Sequence, residues 1–170
     1  MKLAEAVIVH ARAEIGVQES PRGSNRGPRV DEYQRATWLH MRDWGPWCAS
    51  FVCWVIREAM REGESLGIKY TFKRPQTAKA FDFQGWSLKQ DKSTSTKLNP
   101  GRDILPGDIV IFTFSHIGFA TSAPDKNGRF ETIEGNTNDE GSREGYEVAA
   151  RKGDQARHIG TVRCRIRFTV

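Results

Sequence analysis

Along the first third of the chain, apolar residues recur at helical spacing. Leu3, Val7 beside Ala6, and Ala11 beside His10 form one stripe, which predicts an amphipathic helix over residues 1–15. The following run, Glu19-Ser-Pro-Arg-Gly-Ser-Asn-Arg-Gly-Pro28, is turn chemistry throughout, so residues 16–28 read as a loop and 29–40 as a second helix. A third helix is expected from Cys48 to Glu62, after the stop signal Gly45-Pro46. A short helix is expected after Pro75, through Ala78, Ala80 and Phe81, and the polar stretch 87–103 reads as an exposed loop. The second half changes period. Ile109–Phe114, His116–Thr121, Arg129–Glu134, Tyr146–Ala150 and Thr161–Phe168 are strand candidates, separated by Pro-Asp-Lys-Asn-Gly and Asn-Asp-Glu-Gly turns. Helices followed by antiparallel strands indicate an α+β fold, with N-terminal helices packed on one face of a C-terminal sheet.

Residues 1–170 fit one domain, large enough to bury a core without disulfides or a structural metal. No apolar run approaches membrane-spanning length, and Glu5, His10 and Arg12 interrupt the N-terminal apolar stretch, which argues against a signal peptide. The expectation is synthesis in the cytoplasm, so that action outside it would need some other device to carry the protein there. Lys and Arg total 26 against 21 Asp and Glu, a net charge of +5 that favours anionic partners. There is no Lys/Arg block of the nucleic-acid type, and the densest basic stretch (Arg151, Lys152, Arg157, Arg163, Arg165, Arg167) reads as the polar face of late strands.

Three cysteines without a Cys-x-x-Cys pair argue against both a disulfide framework and a zinc knuckle. On the third helix, Val52, Val55 and Ala59 fall within roughly 40° of Cys48, whereas Cys53 lies about 140° around the axis. Cys48 therefore sits in the first turn, near the positive end of the helix dipole, a setting that favours thiolate. The same residue also suits a small buried hydrophobe, the usual fate of free Cys, and Cys53 and Cys164 read as packing residues. Of four histidines, His116 opens a strand at a sheet end that a helix N-terminus can approach. In Glu131-Thr-Ile-Glu-Gly-Asn136, alternation puts Glu134 and Asn136 on one face if the strand persists, where either can accept the imidazole N–H. A structural histidine and a solvated strand edge are the competing readings.

Taken together, these parts resemble the CHAP family (cysteine, histidine-dependent amidohydrolase/peptidase) of the papain-like, NlpC-type group. The resemblance rests on Trp47-Cys48-Ala49-x-Phe51-Val52-x-Trp54, Pro106-Gly107-Asp108-Ile-Val, Ser115-His116-Ile-Gly118 and Glu134-Gly135-Asn136. Upstream, Gly16-Val-x-Glu19 and Gly23-Ser-Asn25-x-Gly-Pro28-x-Val-x-x-Tyr33 resemble the leader of phage-type and bacterial members, so that the likeness spans residues 3 to 168. It implies a papain-like fold and hydrolysis of bacterial peptidoglycan amides, as in phage endolysins. By position, Cys48 matches the nucleophile, His116 the base, Glu134 the residue that orients the base and Asn136 its polar companion. The polar insert at 87–103 departs from the minimal pattern and is either a groove wall or a bystander.

The expected chemistry is acyl transfer through a Cys48 thioester, with the Cys48 backbone N–H as one oxyanion donor. Asn25 is a candidate second donor, although a turn-forming role suits it equally. Trp44 and Trp47 flank the nucleophile and are the candidate groove aromatics among five tryptophans. No metal or other cofactor is expected. Nor is a nucleic-acid partner or stable membrane insertion; the protein is expected to be a monomer acting on the wall after holin release, on a virion or after injection. Three alternatives are a non-catalytic wall-binding module on the same fold, a secreted antibacterial amidase effector, and a zinc amidase using His116, His158 and Cys164. The zinc reading lacks the close ligand pairs that metal sites favour.

Overall fold

The computed structural model describes residues 1–137 and 145–170. Among the described residues four α-helices come first: α1 (Leu3–Ala13), α2 (Pro28–Gln34), α3 (Cys48–Ser65) and α4 (Asp82–Ser87). Eight strands follow in the same residues: β1 (Thr94–Leu98), β2 (Ile109–Phe112), β3 (His116–Ala120), β4 (Arg129–Phe130), β5 (Thr132–Thr137), β6 (Glu147–Arg151), β7 (Arg157–His158) and β8 (Val162–Phe168). Six of them form an antiparallel sheet in the order β1-β8-β2-β3-β5-β6, while β4 and β7 pair separately. The helices lie against one face of the large sheet, which is the α+β arrangement expected from the sequence.

The alternation of β2 shows how the core divides. Ile109 and Ile111 join the helices in one cluster, together with Ile117, Phe119, Ile133 and Ile166. Val110 and Phe112 point the other way, into a smaller cluster with Ala120, Phe130 and Val162. Helix α3 is buried continuously from Cys48 to Ile56, because α1 and α2 cover its outer side and β3 and β5 its inner side. An all-round buried helix of this kind reads apolar on every face in its first turns.

Several expected elements differ from the structure. Helix α2 stops at Gln34 rather than continuing to 40, since the Trp38 N–H turns away to donate to the Gln76 carbonyl at 3.0 Å. The fourth helix begins at Asp82, after the 78–81 turn instead of within it. Most instructive is the 87–103 stretch, read as an exposed loop, in which Thr94–Leu98 is an edge strand on β8. Its inward face is satisfied by hydroxyl bonding in place of apolar packing. The Thr94 hydroxyl donates to the Ser87 carbonyl (2.9 Å), the Thr96 hydroxyl meets that of Ser87 (2.7 Å), and Arg165 donates to the Ser95 carbonyl (2.8 Å). This strand is at the opposite sheet edge from β5 and β6, so it walls no groove near Glu134.

The motif glycines mark close approaches. A Cβ on Gly135 meets the Phe51 Cβ at 2.7 Å and the Trp47 ring at 2.9 Å, so this residue lets β5 lie directly on the start of α3. Gly107, at φ +92°, packs against the backbone of Ala4, and the neighbouring buried Asp108 receives Arg167 at 2.8 Å through both carboxylate oxygens. Pro106-Gly107-Asp108 is therefore scaffold. Replacing Gly135 by Ala forces β5 off α3; thermal melts should show a loss of about 1–3 kcal/mol, or several degrees in Tm.

Candidate active site

Cys48 is the first residue of α3 and is 7% exposed. The turn before it is held by Gln34, whose side-chain amide donates to the Gly45 carbonyl at 2.7 Å while its oxygen accepts from the Ser50 hydroxyl at 2.9 Å. The helix start is thus tied to α2, and its first N–H groups have no partner within the helix. A cleft of about 290 Å³ opens over Cys48, bounded by Pro46, Ser115, Asn136 and the 78–82 segment. Ser115 (φ 58°) and Asn136 (φ 54°) both adopt the left-handed backbone conformation at strand ends. The register of β5 against β6 shifts between Glu134 and Thr137, a bulge that interrupts simple alternation and turns Asn136 toward the cleft.

Beneath this cleft His116 and Glu134 are fully buried. The His116 Nε2–H donates to Glu134 Oε2 at 2.9 Å. The assignment of the proton follows from the carboxylate, which is ionised and can only accept. Glu134 Oε1 also accepts from the Thr132 hydroxyl at 2.8 Å, and Arg157 grips both oxygens, Nε to Oε1 at 2.8 Å and Nη2 to Oε2 at 2.6 Å. Four donors therefore fill the acceptor capacity of one buried carboxylate. Gly118 makes room for it, since a Cβ there meets the Glu134 Cγ at 2.6 Å.

The electrostatics follow from this packing. Burial alone penalises the Glu134 anion, but the Arg157 bonds and the His116 charge overcome it and hold the carboxyl well below its usual range. For His116, burial acts downward; the Glu134 charge, then hydrogen bonding with Cys48 and Glu134, outweigh it and raise the imidazole to about 9. Cys48 thus lies within interaction range of the imidazole. Nδ1 completes no well-aligned hydrogen bond, and with Nε2 committed to Glu134 it is the nitrogen left for the thiol. Phe112 and Phe114 stack on the imidazole at 5.9 and 6.0 Å, and the Arg157 guanidinium lies over both phenyl rings at 4.9 and 5.2 Å.

The structure thus brings Cys48, His116, Glu134 and Asn136 together and adds Arg157, a cation whose place in the sequence suggests only the polar face of a late strand. The substrate candidates fare differently. Trp47 is fully buried, donates from Nε1 to Glu19 Oε1 at 2.8 Å and stacks on Tyr33, so it anchors the 16–28 loop and walls no groove. Trp44 is partly exposed, but Arg26 and Arg35 cover its ring at 5.1 and 5.5 Å, and it does not line the cleft. Asn25 has φ 55° in a loop closed by Ser20 N–H to Arg26 carbonyl at 2.8 Å; it serves the turn and does not line the cleft either.

The other thiols are inert. Burial pushes Cys53 up to about 12 and Cys164 to about 11, and Cys53 donates to the Thr77 carbonyl. Among the described residues, no group of three or more His, Cys, Asp or Glu is placed to hold a metal, and His158 Nδ1 accepts from the Gly160 N–H at 3.0 Å. The His116–His158–Cys164 zinc alternative therefore has no assembled ligand set in these residues.

Two outcomes follow. Arg157→Met leaves a buried carboxylate short of its cation, and chemical denaturation at pH 7 should show a loss of about 3–5 kcal/mol. The raised pKa of His116 means that its ion-pair stabilisation is complete below 6.5 and fades as pH rises through about 9. Glu134, shifted down from 4.5, has the opposite dependence: its contribution is present above that value and is lost on acidification. Denaturation at stepped pH should therefore show an alkaline decline between 6.5 and 9 that His116→Gln removes.

Comparison with known proteins agrees with the α+β fold. No curated protein matches the chain. The chain superposes on the crystal structure of the wild-type endolysin LysIME-EF1 with a TM-score of 0.56 at 17% identity, covering 98% of this chain and 64% of that one. The present chain thus spans less than two thirds of that protein's length. Among the described residues, no helix is long and apolar enough to cross a membrane. The family model for the CHAP domain matches residues 40–136, more than half of the chain, a span that contains Cys48, His116, Glu134 and Asn136 and stops short of Arg157. The chain belongs to the CHAP-domain family.

Proposed function

We propose that this chain hydrolyses an amide bond of bacterial peptidoglycan through a Cys48 acyl-enzyme, as expected of the cysteine-dependent wall hydrolases of its family. The observation that carries the reading is a thiol at a helix start, on an open cleft, beside a buried imidazole held by an ionised carboxylate. A cationic imidazole is the neighbour that stabilises a thiolate. The sulfur attacks the amide carbonyl, and the developing oxyanion meets the Cys48 N–H at the start of α3. His116 Nδ1 then gives its proton to the departing amine as the C–N bond breaks. Water attacks the thioester with Nδ1 as base, the C–S bond breaks, and the carboxylic acid product leaves with the thiolate restored.

Glu134 keeps the imidazole in the tautomer this cycle needs, and Arg157 keeps Glu134 ionised and in place. Arg157 is a positioning residue: Arg157→Lys, with the charge but without the two-pronged grip, should retain more kcat than Arg157→Met. Asn136, on the cleft wall, belongs to the same site. The likeness to an endolysin supports a lytic setting in which a monomer reaches the wall by release, on a virion or by injection, with no nucleic-acid partner and no membrane insertion.

Mass spectrometry of purified peptidoglycan treated with wild type, Cys48→Ala and Cys53→Ala tests the proposal. New amine and carboxyl ends should arise with wild type and Cys53→Ala and be absent with Cys48→Ala, and they identify the bond cut. Equal release by Cys48→Ala removes the thiol mechanism. No release by any of the three proteins, with wall binding intact, points to the binding-module alternative.

A further inference from the structure

The cleft over Cys48 does not end at the 78–82 segment. Pro46, Ala78, Lys79 and Asp82 also line an adjoining hollow of about 340 Å³ that reaches Trp38 and Leu39. Trp38 is 76% exposed, an unusual cost for so large an apolar ring on a rigid backbone. Its backbone is rigid because the 36–38 and 74–76 segments are laced together: the Trp38 N–H donates to the Gln76 carbonyl (3.0 Å) and Arg74 to the Ala36 carbonyl (2.8 Å). Three charged side chains line the hollow: Lys79, Asp82 and Asp43, the last with its carboxylate 3.8 Å from Arg42 and so already facing a cation. Lys79 is exposed and makes no ion pair among the described residues, and among the same residues the Asp82 carboxylate accepts the Thr77 hydroxyl (2.7 Å) and has acceptor capacity left.

We propose that this extension is a subsite for a zwitterionic stem peptide, one carrying a free carboxylate and a free ammonium on the same side of the scissile amide. Lys79 takes the carboxylate, Asp82 takes the ammonium, and Trp38 with Leu39 covers the aliphatic part between them. A neutral glycan would find both charges unmatched, and an anionic polymer would meet Asp82. Continuity with the cleft over Cys48 sets the occupant as the substrate's own chain rather than a separate ligand. The inference rests on the peptidoglycan amidase reading, and deepens it from a reaction to a substrate class.

The test uses soluble muropeptides with the stem in three forms: native, carboxyl-amidated and amine-acetylated. With wild-type protein, either modification should raise KM by about two- to fivefold, the range for an exposed ion pair. Lys79→Gln should raise KM for the native stem and leave the amidated one unchanged, while Asp82→Asn should do the same for the acetylated one. Trp38→Ala should raise KM for all three by about tenfold with kcat within twofold of wild type. Unchanged KM in Lys79→Gln and Trp38→Ala, with wild type cleaving normally, overturns the subsite and leaves the amidase reading standing. If wild type cleaves none of the stems, the same comparisons are read as binding affinities on a Cys48→Ala background. Affinities indifferent to Lys79→Gln, Asp82→Asn and Trp38→Ala then overturn the subsite on their own.

Discussion

A carboxylate with no exposure to solvent constrains everything around it. Glu134 lies in the sheet with its acceptor sites filled by Thr132, Arg157 and His116, and an anion in such a place survives only when every one of those donors is present. Arg157 comes from β7, a strand outside the large sheet, so the small β4–β7 pair is held against the sheet by an ionic contact as well as by Phe130 and its apolar neighbours. His116, in turn, has its ring fixed by Glu134 on one nitrogen and by packing against the mutually stacked Phe112 and Phe114 rings. Cys48 has to meet the remaining nitrogen, which sets where α3 begins.

That requirement explains the sequence around each motif. Gly118 is empty so that Glu134 fits, and Gly135 is empty so that α3 can come down onto β5. Left-handed residues at Ser115 and Asn136 end the strands at the cleft, where Cys48 arrives from the helix side of the sheet. Trp47, immediately before the thiol, is spent on structure: its indole ties Glu19 and the 16–28 loop to the helix start, and Glu19 Oε2 in turn receives the Gly23 N–H at 2.6 Å. The leader motif thus acts by fixing the chain leading into Cys48.

The helices and the Cys48–His116–Glu134 set were legible because their signals are local. A 3.6-residue stripe, a Gly-Pro stop and strands with apolar alternation carry their own meaning. What escaped depends on partners distant in sequence. Thr94–Leu98 has the composition of a loop, and only the hydroxyl of Ser87 and the strand β8 make it a strand. Arg157 lies in a basic run that resembles any solvated strand face, and nothing within twenty residues marks it as the partner of Glu134. Trp47 looked like a groove aromatic because it neighbours Cys48, yet adjacent helix-start residues face different ways. Trp38, distant from the thiol in sequence, borders the hollow that adjoins the cleft.

The acyl-transfer chemistry depends on His116 being an imidazolium paired with Glu134 in the resting protein. Nuclear magnetic resonance of a sample with isotope-labelled histidine, followed from pH 5 to 10 with His116→Gln for assignment, measures it directly. The His116 ring should stay protonated through neutral pH and titrate near 9, with its Nε2 proton shifted by the carboxylate. Titration at or below the ordinary 6.5 would mean that burial outweighs Glu134, leaving a neutral imidazole beside Cys48 and contradicting the imidazolium–carboxylate pair.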